Sequence, residues 1–253
     1  DGPVHPARGI ARLIGVPVPT PIGVREEGGI EYRPGSTLDL VAPVAPPPDA
    51  RTFVYVHGGG WTGGDPQRQA RDLYHALALD DWVVLTIRYP PAPLVTVDQQ
   101  IATVRDAIKW ARHGVGGRGV APKALAVGGG SAGALLAAMA ALTPTDDSAR
   151  VDAFVGIYGV YDMANRNRTR AVWTRIAEVV MRATADEAPD RYSAVSPLDH
   201  IDEGTPPMLL VHGTHDTLVP IGESEQFADA VRAAGRPVDL VSSLAASNSS
   251  VRR

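Results

Sequence analysis

The spacing of hydrophobic residues changes along the chain and predicts alternating strands and helices. Six short, mostly apolar runs predict strands, and the first two are typical of strands buried on both faces: residues 53–56, 83–87, 124–127, 153–158, 208–211 and 238–241. Five other segments predict helices: 68–79, 97–113, 132–142, 171–182 and 223–234; in 97–113 the apolar residues recur close to the helical period. Gly235 is the predicted C-terminal cap of the last helix. Repeated strand–helix alternation predicts an α/β fold, with a mostly parallel central sheet and helices on both faces.

The first fifty residues follow a different pattern, rich in proline and glycine. Short alternating pieces at 29–32 and 38–42 predict edge strands joined by turns. The proline-rich run 43–49 is interpreted as a linker or turn. No fixed repeat and no second core are evident, so residues 1–253 are predicted to form one domain, with 1–50 as N-terminal strands and linker.

Composition narrows the class of protein. Hydrophobic residues make up 44% and charged residues 21% of the 253-residue chain, the balance of a globular enzyme. A net charge of −4 argues against nucleic-acid binding, which needs clustered Lys and Arg. The densest basic cluster is interrupted by polar residues and is interpreted as a solvated surface patch: Arg166, Arg168, Arg170 and Arg175.

Cysteine is absent, which excludes disulfides, thiolate metal sites and a cysteine nucleophile. No apolar run approaches the roughly 18 residues needed to span a bilayer. We therefore expect a cytoplasmic protein without a membrane span. The chain starts at Asp1 rather than Met, which leaves room for a preceding signal or anchor.

The sharpest local motif is Gly-Gly-Gly-Ser-Ala-Gly at 128–133, between a predicted strand and a predicted helix. Gly129, Ser131 and Gly133 fit the G-x-S-x-G nucleophile elbow, a tight turn that exposes a serine hydroxyl above the sheet. The same residues also spell the G-x-G-x-x-G dinucleotide fingerprint, although that motif normally follows the first strand of its fold. A structural glycine turn with an incidental serine is the third interpretation.

A second glycine-rich motif favours the elbow. His57-Gly58-Gly59-Gly60-Trp61 follows the predicted strand 53–56 and matches the HGGG-type oxyanion loop that complements such an elbow. Backbone N–H groups of Gly59, Gly60 and Ala132 are the predicted oxyanion donors. His57 is interpreted as a structural residue that holds this loop rather than as a catalytic base.

Together these motifs resemble carboxylesterases and lipases of the α/β-hydrolase superfamily, in the hormone-sensitive-lipase-like and BD-FAE-like branch. The resemblance covers about residues 35–241 and includes a third motif, His-Gly-Thr-His-Asp-Thr-Leu-Val-Pro at 212–220, in the family's order. Residues 158–162 and 196–198 resemble family positions around the acyl pocket and cap. Hormone-sensitive-lipase relatives often carry Asp before the nucleophile; Gly130 stands there in this chain and favours the BD-FAE-like side.

The resemblance implies that Ser131 is the nucleophile and Asp216 the triad acid. Asp216 also lies just beyond the C-terminal end of the predicted strand 208–211, the edge where open α/β sheets build sites. A turn-forming Asp without a catalytic role is the competing interpretation. His212 and His215 precede Asp216 and are interpreted as structural residues of the loop.

A catalytic triad also needs a histidine after the last strand, and the chain has none after His215. Asn248 lies roughly where the family pattern places the catalytic histidine. Three explanations stay open: residues are missing from the sequence after about Val241, the tail is altered, or the protein has lost its base. The first is preferred, because the segments 90–95 and 143–151 also look shortened against the family.

The expected function is therefore a serine carboxylic-ester hydrolase that acts on short- to medium-chain acyl esters through an acyl-enzyme. A small cap-like insertion at about 162–205 underlies the expected acyl length. The partner is a small-molecule ester, no metal or organic cofactor is implied, and the oligomeric state is left open. The alternatives are an arylformamidase or amidase on the same fold, and a non-catalytic ligand-binding protein if the histidine is truly absent.

Overall fold

The structure is a computed structural model that describes residues 19–114, 122–170 and 174–243, without the side chains of 174–177. Eight strands form one sheet: β1 (Val24–Arg33), β2 (Ser36–Pro43), β3 (Arg51–Val56), β4 (Trp82–Ile87), β5 (Leu125–Gly130), β6 (Ala153–Ile157), β7 (Met208–Gly213) and β8 (Val238–Ser243). Their order across the sheet is β1-β2-β4-β3-β5-β6-β7-β8. All eight predicted strands are present, most of them one to three residues longer than predicted.

Six neighbouring strands of the sheet are parallel, in the order β4-β3-β5-β6-β7-β8. The two remaining strands, β1 and β2, are added to the β4 side by antiparallel pairing. β3 pairs with both β4 and β5, and β6, β7 and β8 follow outward in parallel register. Because the carboxyl ends of parallel strands share one edge, the loops after β3, β5, β6 and β7 all open at that edge. This edge carries every predicted site residue.

The prediction that residues 38–42 form an edge strand is wrong. β2 pairs with β1 on one side and with β4 on the other, so within the described part of the chain β1 is the edge strand at this end of the sheet. In the sequence of this strand, Asp39 lies between Leu38 and Leu40, so polar and apolar residues alternate as in a strand with one exposed face. The fold buries that carboxylate in an ion pair with Arg88, 2.7 Å away, and in a hydrogen bond from Gln67.

Seven α-helices are described: α1 (Pro66–Gln69), α2 (Arg71–Leu79), α3 (Val97–Arg112), α4 (Ala132–Leu142), α5 (Thr174–Met181), α6 (Pro189–Ser193) and α7 (Gly222–Ala233). The main core lies on one face of the sheet, beneath α3, α4 and α7. A smaller core, which includes Phe53, Tyr55 and Tyr74, packs α2 against the other face. The predicted helices on both faces are therefore present.

The predicted helix 68–79 is in fact two helices that meet at Ala70, whose φ of −139° is not helical. Asp65 caps the first helix by accepting a hydrogen bond from the Gln67 N–H, and Pro66 occupies its first turn. The predicted cap at Gly235 is confirmed: its φ of +70° ends α7.

Residues 162–205 connect β6 to β7 and contain α5, α6 and a short 3₁₀ helix at Pro197–Asp199. The start of the predicted helix 171–182 and the position of Asn248 lie outside the described residues. The loops 90–95 and 143–151 are described, and the expectation that residues are missing there stays a prediction. None of the described helices is long and apolar enough to cross a membrane.

Candidate active site

Ser131 lies at a sharp turn between β5 and α4. Its backbone angles, φ 54° and ψ −124°, are unusual for a residue with a side chain. The Ser131 N–H donates to the carbonyl of Ile157 on the neighbouring strand, which fixes the turn to the sheet. The hydroxyl makes no capping hydrogen bond to α4 and the residue is 7% exposed. The helix N-terminus therefore presents free backbone N–H groups, including that of Ala132, beside a serine oxygen.

The flanking glycines are required by close backbone contacts. A Cβ on Gly133 would stand 2.2 Å from the carbonyl oxygen of Val56 and 2.3 Å from that of His57. A Cβ on Gly129 would stand 2.4 Å from the same Val56 oxygen. Both glycines thus allow the turn to press against the end of β3, from which the 57–64 loop emerges.

That loop lies directly against the serine turn. A Cβ on Gly58 would meet the Gly130 carbonyl oxygen at 2.8 Å and the Ser131 Cβ at 3.1 Å. Gly59 and Gly60 have φ of 136° and 60°, so the chain turns back on itself there. The two glycine motifs, 70 residues apart in sequence, are therefore neighbours at the sheet edge.

His57 faces the loop rather than the serine. It is 3% exposed, its Nδ1 lies 2.8 Å from the Gly58 carbonyl oxygen, and its ring stacks on Tyr89 at 4.3 Å. A carbonyl accepts only, so Nδ1 must carry the proton. Burial lowers the pKa of His57 below its ordinary value. These contacts suit a neutral structural histidine, as the sequence analysis expected.

Asp216 follows β7 at the same edge, with its side chain fully buried. Its Oδ1 accepts hydrogen bonds of 2.9 Å from the N–H groups of Leu218 and Val219. This is the geometry of an aspartate that closes a turn, and it also holds the carboxylate in one orientation. The structural and catalytic interpretations of Asp216 are thus compatible.

Of the two histidines near Asp216, His212 lies within 3.9 Å of its carboxylate, Nε2 to Oδ2, but the shorter contacts of both histidines are to other groups. His212 is fully buried, with Nδ1 2.7 Å from the Ser224 hydroxyl and Nε2 2.7 Å from the Val219 carbonyl. Burial lowers the pKa of His212. His215 is exposed and its Nδ1 lies 3.1 Å from the Thr214 hydroxyl. Within residues 19–114, 122–170 and 174–243, no histidine has a hydrogen bond or ion pair with Ser131.

Tyr158, directly after β6, stands between the serine and aspartate loops. A Cβ on Gly130 would lie 3.0 Å from both Cε2 and the hydroxyl of Tyr158, so the missing side chain at 130 leaves room for this ring. Burial and the nearby negative charge of Asp216 raise the pKa of Tyr158 above its ordinary value. Its phenol is therefore a neutral wall of the site.

A buried ion pair joins the loop after β6 to α7. Arg170 Nε lies 2.9 Å from Glu223 Oε1, and both side chains are 1% exposed. The interpretation of the arginine cluster as a solvated patch is wrong for Arg170, because the fold brings a carboxylate 53 residues away to it. Arg166 is half exposed and pairs with Asp162 and Asp199.

Two glutamines that lie outside the sequence motifs hold the ends of the 57–61 loop. Gln69 accepts a 2.7 Å hydrogen bond from the Gly58 N–H and donates a 3.0 Å one to the Gly58 carbonyl. Gln100, fully buried on α3, donates to the carbonyls of Trp61 and Pro90. A glutamine in a helical pattern gives no sign of such a long-range contact.

The model of one protein family, BD-FAE, matches residues 38–231. The chain belongs to the BD-FAE family. Two curated relatives from Mycobacterium tuberculosis are similar over most of it. Esterase LipQ is 31% identical over 90% of this chain and 58% of its own length, and esterase LipC is 34% identical over 76% and 50%. The chain thus spans about half the length of these relatives.

Solved structures with the same fold include an esterase, Est2, from Thermogutta terrifontis. Its butyrate-bound structure is 28% identical, has a TM-score of 0.71, and covers 89% of this chain and 84% of its own. The same esterase phosphonylated by sarin has a TM-score of 0.72 at 28% identity, covering 91% and 87%. The predicted α/β-hydrolase fold is thereby confirmed.

Proposed function

We propose that this chain is the catalytic domain of a serine carboxylic-ester hydrolase. One observation carries the proposal: Ser131 stands at a strained strand-to-helix turn, and the glycine loop after β3 packs against it. This is the arrangement that acyl transfer by a serine requires, since the hydroxyl and backbone donors must face one carbonyl group. The family membership and the esterase relatives support the same conclusion.

In this proposal Ser131 attacks the ester carbonyl and the N–H groups of Gly59, Gly60 and Ala132 stabilise the oxyanion. Each such donor contributes about 3–4 kcal/mol to the transition state in well-studied serine hydrolases. Collapse of the tetrahedral intermediate expels the alcohol and leaves an acyl-enzyme, which water hydrolyses. Asp216 orients the histidine that takes the serine proton and returns it to the leaving group.

Among the residues that the structure describes, no histidine hydrogen-bonds to Ser131, and the sequence of 244–253 contains no histidine. Added imidazole tests whether the base is lacking. If this polypeptide lacks it, imidazole should raise the rate of p-nitrophenyl butyrate hydrolysis by wild type and not by Ser131→Ala. If a base is already in place, imidazole should leave the Ser131-dependent rate unchanged.

We propose short to medium acyl chains as substrates. The Thermogutta esterase binds butyrate in its solved structure, and the segment 162–205, proposed as a small cap, is brief. Hydrolysis of acetyl, butyryl and palmitoyl p-nitrophenyl esters should be fastest for one of the two short esters. Fastest turnover of the palmitoyl ester would contradict the proposed acyl preference.

A fluorophosphonate probe tests the nucleophile directly, since such probes react with activated serines. Wild type and Ser148→Ala, a control at a serine of the short 3₁₀ helix Asp147–Ala149, should become labelled, and Ser131→Ala should not. A folded wild type that stays unlabelled with and without imidazole contradicts the hydrolase proposal and favours a ligand-binding protein. Labelling at Ser131 with turnover of an anilide but of no ester would favour an amidase.

A further inference from the structure

We infer that Gln69 is a positioning residue that aims the oxyanion donor at Gly59. The inference rests on the proposed function and deepens it. The Gln69 carboxamide makes two hydrogen bonds to one residue, accepting from the Gly58 N–H at 2.7 Å and donating to the Gly58 carbonyl at 3.0 Å. Both ends of the side chain are thus committed to the glycine that touches Ser131.

The geometry of the peptide group links these bonds to the oxyanion hole. The Gly58 carbonyl and the Gly59 N–H belong to one planar trans peptide, so they point in opposite directions. A donor that fixes the carbonyl on one side therefore fixes the N–H on the other. Glycine has no side chain to restrain this plane, and Gly59 itself is at φ 136°. The Gln69 amide supplies the restraint from outside the loop.

The same carbonyl receives a second contact, from Nδ1 of His57 at 2.8 Å. Two donors on one carbonyl polarise the peptide and strengthen its N–H as a donor. The other loop residues are held independently. The Gly59 carbonyl accepts from the Thr62 N–H at 3.2 Å, and Gln100 holds Trp61 at 2.8 Å. Loss of Gln69 leaves the Gly58 carbonyl with His57, a neighbour in the same loop, but removes the restraint from outside the loop on both the Gly58 N–H and the carbonyl. It should therefore misdirect the Gly59 donor without releasing the whole loop.

The test compares Gln69→Glu and Gln69→Ala with Gln67→Ala, a control on the same helix whose amide bonds Asp39 instead of the loop. A glutamate at 69 still accepts from the Gly58 N–H but places a carboxylate against the Gly58 carbonyl. Removing an oxyanion donor lowers kcat by about 10²–10³-fold, so misdirecting one should lower kcat by roughly 10–100-fold. KM should change less than about twofold, because the hydrogen bond from the Gly59 N–H to the substrate oxygen matters mainly in the transition state.

Three further readouts separate positioning from a general loss of structure. The Ki of a trifluoromethyl ketone analogue of the substrate should rise in proportion to the fall in kcat/KM. Urea unfolding identifies any variant that fails to fold, and if Gln69→Ala does so, Gln69→Glu carries the test. Amide exchange at Gly58 should accelerate in Gln69→Ala and not in Gln67→Ala, whatever the activity.

Unchanged kcat in both Gln69 variants of an active enzyme would overturn the positioning role. So would an equal fall of kcat in Gln67→Ala, or a rise in KM alone. Unchanged exchange at Gly58 would contradict the clamp itself, even in an inactive protein. A wild type with no Ser131-dependent turnover, with or without imidazole, is a different result, because it refutes the proposed function from which the role follows.

Discussion

Glu223→Ala should destabilise the protein far more than a typical substitution at a helix start. The Glu223 carboxylate lies 2.9 Å from Arg170 Nε and accepts a 2.6 Å hydrogen bond from the Thr169 hydroxyl. It also accepts from the N–H groups of Tyr161 and Asp162, at 3.1 and 3.4 Å. The substitution therefore leaves a guanidinium group buried and two backbone donors without this acceptor.

Breaking a buried pair by removing one partner costs about 3–5 kcal/mol, because the remaining charge is desolvated without compensation. Glu225→Ala is the matched control. Glu225 lies in the same first turn of α7 but is exposed, so its loss removes only a helix-dipole interaction of about 0.3–1 kcal/mol. The difference between the two variants should be at least about 2 kcal/mol, or roughly 4–8 °C in Tm for a domain of this size.

Urea unfolding, monitored by circular dichroism, gives the free energy of unfolding of each variant from the midpoint and slope of its transition. Arg170→Met should lower the free energy of unfolding by a similar amount. The double variant Arg170→Met with Glu223→Met should lose less than Arg170→Met and Glu223→Met do separately when their losses are added, because the double variant leaves neither charge of the pair buried. A loss of unfolding free energy in Glu223→Ala no larger than that in Glu225→Ala would contradict the role of Glu223 as the buried partner of Arg170. It would mean that water or a rearranged neighbour already compensates the guanidinium.

Two further predictions concern the sheet and the serine turn. Gly133→Ala should lower the free energy of unfolding by about 1–3 kcal/mol or more, because the new methyl group would lie 2.2 and 2.3 Å from two backbone oxygens. Gly63→Ala is the control: the new methyl group has open space, and the free energy should change by no more than about 0.5 kcal/mol. Equal urea midpoints for the two variants would contradict this prediction. Burial tends to raise the pKa of Asp39, but hydrogen bonds from Arg88, Gln67 and Gly29 outweigh it and lower that pKa. Its stabilisation should therefore be complete above the unfolded value of about 3.9 and be lost as the pH falls below it. Asp39→Asn should flatten that acid limb of the unfolding free energy, and parallel curves for the two proteins would refute the assignment.

The strands of the sheet and the two glycine motifs at its edge could be predicted from the order of the residues. A strand buried on both faces is mostly apolar, so β3, β4 and β5 were recognisable from their runs of apolar residues. The turn at Ser131 and the loop after β3 need glycine for local steric reasons, which a sequence displays directly. The motifs around Ser131 and Gly59 were therefore evident from the order of the residues alone.

The long-range partners of the polar side chains in these segments follow from the folded arrangement and could not be predicted from the sequence. The short alternating segment 38–42 is typical of an edge strand, yet the fold pairs β2 with β4 as well as with β1; Arg170 lies in a polar, arginine-rich segment, yet the fold places Glu223 beside it. The break at Ala70 and the bonds from Gln69 to Gly58 likewise leave no periodic trace. The spacing of hydrophobic residues indicates which face of a helix or strand is buried. A buried polar side chain instead pairs with a residue distant in sequence, and that pairing depends on the folded geometry.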